Sequence, residues 1–62
     1  MNYEETYIVE IRRADGRIDT EPYSDVVKAV GAYENAQYDL KSGERVQLHR
    51  TSSVILATSA KA

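Results

Sequence analysis

The chain contains no cysteine, no tryptophan and no phenylalanine, and only one proline and three glycines in 62 residues. Without cysteine there is neither a disulfide frame nor a thiolate metal site, which fits a cytoplasmic setting. Without Trp or Phe, the apolar supply rests on five Tyr and thirteen Val, Ile and Leu residues. Ordering each residue costs roughly 1.5 kcal/mol, so a chain this short sits near the lower limit for folding alone. Self-association would add burial. No run approaches the ~18 apolar residues of a membrane span, and Met1–Glu5 is polar and acidic rather than signal-like. A soluble domain without membrane contact is expected. Basic charge is not in excess either: eight Lys and Arg stand against ten Asp and Glu, for a net −2. That balance weighs against gripping nucleic acid through its phosphates. Repeats and low-complexity stretches are absent, so one domain over 1–62 is expected, with 59–62 as a loose tail.

What is present alternates. Tyr7 to Arg13 is β-branched and aromatic with a period of two, and Asp15-Gly16 is a strong hairpin signal. A two-residue turn at Asp15-Gly16 sets Arg12 opposite Asp19, Ile11 opposite Thr20 and Glu10 opposite Glu21. Pro22 cannot donate to a ladder, so the second strand is expected at a sheet edge, ending there. Ser24 suits an N-cap, with Asp25 in the first turn. Val26, Ala29, Val30, Tyr33, Ala36 and Leu40 then fall in one helical stripe. Lys41-Ser42-Gly43 is a basic last turn followed by a C′ glycine, giving a helix over 25–42.

Residues 44–50 alternate again, with Val46 and Leu48 on one face and Arg45, Gln47 and His49 on the other. Thr51-Ser52-Ser53 reads as a turn and Val54-Ile55-Leu56-Ala57 as a short apolar strand. Packing the stripe on Val9, Ile11, Ile18, Val46 and Leu48 makes an α+β two-layer sandwich, ββαβ(β), with one helix on a mostly antiparallel sheet. A right-handed crossover from strand 2 through the helix to strand 3 gives the strand order 2-1-3-4.

Chemistry-bearing motifs do not emerge. His49 is the single histidine, and no nucleophile or orienting carboxylate is placed beside it by spacing. The carboxylates, Glu4-Glu5 included, form no calcium-loop or paired-acid pattern, and the glycines form no phosphate cradle. No enzyme activity, metal or cofactor is expected. Apolar residues off the core stripe carry more information. Val27, Gly31, Glu34 and Tyr38 form a second row along one helix flank, and Gly31 costs about 1 kcal/mol in a helix relative to Ala. This row is the first candidate for binding another protein or a second copy of the chain. Ile8, Arg12, Tyr23 and Arg45 share the open sheet face as the alternative. Basic groups beside an aromatic there would suit a single-stranded nucleic acid, although Glu10, Asp19 and Glu21 blunt the potential.

In size and layout, Pro22-Tyr23, an Ala-containing helix ending in Gln37-Tyr38, and then Gly43-Glu44-Arg45-Val46 resemble the small phage-encoded inhibitors of bacterial RNA polymerase. The likeness covers about half the chain and lacks the acidic strip such inhibitors would use. It implies a class and no functional residue: a compact inhibitor or adaptor docking on a host enzyme.

Overall fold

A computed structural model describes residues 6–51 and 54–62. Expectations for Met1–Glu5 and for Ser52 and Ser53 of the turn lie outside the described residues. Strands β1 (Tyr7–Arg12) and β2 (Ile18–Tyr23) precede helix α1 (Val26–Tyr38), and strands β3 (Arg45–Arg50) and β4 (Val54–Ala60) follow it. The sheet runs β2-β1-β3-β4 with every neighbouring pair antiparallel, and α1 packs on one face. The α+β sandwich and its strand order are those the sequence predicts.

The hairpin loop is one residue longer than predicted. Gly16 donates its N–H to the Arg13 carbonyl at 3.0 Å, and Arg13 donates to the Arg17 carbonyl at 2.7 Å. Ala14, Asp15 and Gly16 therefore form a three-residue loop, a β-turn closed by a glycine at φ 94°. Arg12 now faces Ile18, and Glu10 faces Thr20 rather than Glu21. Because side chains alternate, this slip exchanges the two faces of β2. Ile18, expected in the core, is 50 % exposed on the open face. Tyr23, expected on the open face, lies opposite Tyr7 and packs against the core instead. The ion pair expected at Arg12 forms from Arg13, whose Nε meets Asp19 at 2.9 Å.

Helix α1 is capped by Asp25, not Ser24: its carboxylate accepts the Val27 N–H at 2.8 Å. It ends at Tyr38, four residues before the predicted limit, because Glu44 draws the following segment into a separate turn. The Glu44 carboxylate accepts the Lys41 N–H at 2.8 Å, its own N–H donates to the Lys41 carbonyl, and Gly43 takes φ 84°. Leu40 keeps its core place from that turn. It joins Val9, Ala29, Tyr33, Val46 and Leu48 in the buried cluster. Val26 and Val30, predicted for the same stripe, are exposed.

β4 continues past Ala57 to Ala60, so half of the segment read as a loose tail is strand. Lys61 exchanges main-chain hydrogen bonds with Gly43 and Glu44, and Ser42 donates its hydroxyl to the Ala62 carbonyl at 3.0 Å. The tail is tied down by the turn after the helix.

Candidate interaction surface

One helix is narrower than four strands. A helix with its side chains is about 10 Å across, whereas four strands at about 4.8 Å spacing span nearly twice that. α1 lies mainly over β1 and β3 and reaches β2, where Ala32 and Ala36 line a cleft with Thr20, Glu21 and Tyr23. At about 100° per residue, Val26 and Val30 fall on the opposite flank, turned toward β3 and β4. Tyr33 reaches over that flank, its hydroxyl 2.5 Å from that of Ser59. On the helix side of β4, Ala57 and Ser59 are half-buried, while Val54 at the start of the strand is exposed.

The register gives six of the seven β4 residues a partner on β3, Val54 standing beside Arg50. Ser59 and Ala57 lie beside the buried Val46 and Leu48, on the helix side. Ala60, Thr58 and Ile55 lie beside Arg45, Gln47 and His49, on the open face. Between His49 and Leu48 the register shifts by one, so Leu56 is the extra residue of a bulge. Val54, Ile55 and Leu56 are all exposed, Ile55 at 59 %. Across the open face, Pro22, Ile8, His49 and Ile55 form one continuous row that ends at this corner.

The two sheet edges differ in kind. β2 carries Asp19, Glu21 and Pro22, residues that discourage strand addition through charge or a missing donor. β4, Val-Ile-Leu-Ala-Thr-Ser-Ala, has no charge and no proline. Exposed, uncharged and apolar, it is the kind of edge that receives another strand.

Charge collects at the other end of the sheet. Arg13 bridges Asp19 and Glu44, its Nη1 lying 3.4 Å from the Glu44 carboxylate. The Lys41 N–H holds the Glu44 carboxyl below its usual range, assisted by the Arg13 charge and opposed by burial. Arg13 is raised by its hydrogen bond to Asp19, and Asp15 is lowered by the Arg17 N–H. These pairs brace the hairpin loop against the turn after α1. Of these residues Asp19 borders the cleft beside α1, and no group of three or more potential metal ligands occurs among the described residues. No helix among them is long and apolar enough to cross a membrane.

The helix row is exposed, with Val27 at 74 % and Tyr38 at 89 %. A Cβ built on Gly31 would meet nothing within 4 Å. Glu34, Gln37 and Tyr38 line a pocket of about 630 Å³ at the helix end. Yet Val27 and Tyr38 stand three turns apart with Gly31 and Glu34 between them, two single apolar residues rather than a patch. On the open face, Arg12 lies directly opposite Arg45, and Ile8 opposite His49. Tyr23 is on the other side of the sheet, so it offers the basic pair no aromatic platform. The corner formed by Val54, Ile55 and Leu56 is a further candidate that the sequence reading does not single out. Its signal was an uncharged apolar run in the last strand, where a sheet edge is to be expected.

No protein-family model, no curated protein and no solved structure matches the chain. The likeness to phage inhibitors of RNA polymerase therefore draws no support from sequence or fold comparison.

Proposed function

We propose that the chain is a non-enzymatic interaction module, acting in the cytoplasm, that docks on another polypeptide by receiving a strand along the outer edge of β4. The observation that carries this reading is the contrast between the edges: β2 is guarded by Asp19, Glu21 and Pro22, while β4 presents Val54, Ile55 and Leu56 unguarded. Strand addition would draw affinity from main-chain hydrogen bonds and specificity from the exposed side chains. The exposed Val26 and Val30 on the helix flank turned toward that edge supply further apolar area. Capture on the immobilised chain tests it. Ile55→Lys puts a charge on the edge at an already exposed position, and it should lose whatever polypeptide the wild type retains. Retention by Ile55→Lys together with loss by Tyr38→Asp would move the docking surface to the helix row of Val27, Gly31, Glu34 and Tyr38.

A further inference from the structure

We infer that the strand received by β4 is the β4 of a second copy of this chain, paired antiparallel about a two-fold axis at Thr58. The result is one continuous eight-stranded sheet. This rests on the docking edge proposed above and adds its occupant.

Main-chain geometry provides the first argument. Lys61 donates its N–H to the Glu44 carbonyl, so it faces β3. In an antiparallel ladder the hydrogen-bonding direction alternates along the strand. Ala60 and Thr58 accordingly turn their N–H and C=O groups to the free edge. A two-fold axis at Thr58 makes that residue pair with its own copy and exchange both bonds. Ala57 and Ser59 then stand opposite each other, as do Leu56 and Ala60, so the large residue of one strand meets a small one of the other.

Charge provides the second argument. Val54–Ala60 carries none, and about an axis at Thr58 the Lys61 that follows it stands opposite Ile55, so two copies meet without like-charge opposition. The alternative edge of a second copy is β2, where Pro22 lacks a donor and Asp19 and Glu21 would be laid against an apolar strand. The β4–β4 pairing is therefore favoured over β4–β2, and it closes. Both outer edges of the eight-stranded sheet are guarded β2 strands, so growth stops at two copies. The helix also permits it, since α1 lies over β1, β2 and β3 and two such helices stay apart across the new ladder.

Sedimentation of the full chain over a concentration series, with three variants, tests the inference. The wild type should run at twice the monomer mass. Thr58→Pro removes an N–H that faces away from β3, so its circular dichroism should be unchanged while its mass falls to that of the monomer. Ile55→Lys serves the same purpose should the proline variant fold poorly. The natural chain has no cysteine, so Thr58→Cys gives a clean crosslinking readout. Hydrogen-bonded residue pairs hold their Cα atoms at about 5.5 Å, within disulfide range. Oxidation should crosslink Thr58→Cys efficiently and Lys28→Cys, on the exposed helix surface, hardly at all. A wild type that stays monomeric, with no preferential crosslinking of Thr58→Cys, overturns the inference. If that monomer still retains a foreign protein which Ile55→Lys loses, the docking edge stands and only its occupant was wrong. A dimer that survives both Thr58→Pro and Ile55→Lys removes the edge itself as the interface.

Discussion

The hydroxyl of Tyr33, in the middle of the helix, meets the hydroxyl of Ser59, 26 residues later on the edge strand. Tyr33 is also part of the buried cluster, so one side chain both fills the core and ties α1 to the edge strand. The two roles separate by substitution. Tyr33→Phe keeps the ring and loses the hydroxyl pair, and should cost about 0.5–1.5 kcal/mol. Tyr33→Ala also opens a cavity and should cost about 2–5 kcal/mol, enough to unfold a domain of this size. Urea melts read both. Equal losses in the two variants would mean that the ring contributes nothing beyond its hydroxyl.

Gly16 closes the hairpin loop at φ 94°, a conformation that a β-branched residue resists. Gly16→Val should therefore destabilise the domain by roughly 1 kcal/mol or more. Space is not the limit, because a Cβ there meets nothing within 4 Å. An unchanged melting temperature would show that the loop tolerates another conformation.

That loop also marks where the sequence stopped being legible. Element types and strand order follow from periodicity, Pro22 and the right-handed crossover, and all of these are local or general. The register of β2 is neither. Two-residue and three-residue loops both place a glycine with positive φ after Asp15, and both give a plausible ion pair to Asp19. Only the packing of Tyr23 beside Ala32 and Ala36 decides between them, and that contact joins distant parts of the chain. The shortened helix has a similar origin, since Glu44 captures the Lys41 N–H from outside the helix. For the candidate site, exposure was the missing quantity. An apolar run such as Val54–Leu56 reads equally as core or edge until the sheet is assembled and the helix is found to cover only three strands.

Glu44 makes stability depend on pH in a stated direction. Its carboxylate is buried, accepts the Lys41 N–H and faces Arg13, and its folded pKa lies below the unfolded value. A group with a depressed folded pKa contributes fully above its unfolded pKa, near 4.3 for an ordinary Glu, and loses that contribution as pH falls through the folded value. Wild type should therefore melt higher than Glu44→Gln at neutral pH, and the gap should close on acidification below about pH 4. A gap that stays constant down to pH 2 would show that the charge of Glu44 is immaterial and only its hydrogen bond counts.

Gly31 supplies the test that separates the two candidate surfaces. It sits inside α1 with no neighbour within 4 Å of an added Cβ, so the fold itself gives no reason for a glycine. Replacing a helical Gly by Ala relieves an entropic cost of roughly 0.5–1 kcal/mol. Gly31→Ala should accordingly raise the melting temperature, and because the docking edge lies on β4 it should leave association unchanged. The competing possibility makes the opposite forecast for binding. If a partner's backbone approaches the helix closely at Gly31, flanked by Val27 and Tyr38, the added methyl stabilises the isolated domain while weakening the complex. Thermal melts and sedimentation of the same sample read the two quantities together. A stabilised variant that associates as the wild type does leaves the edge of β4 as the interface. A stabilised variant that no longer associates transfers that role to the helix.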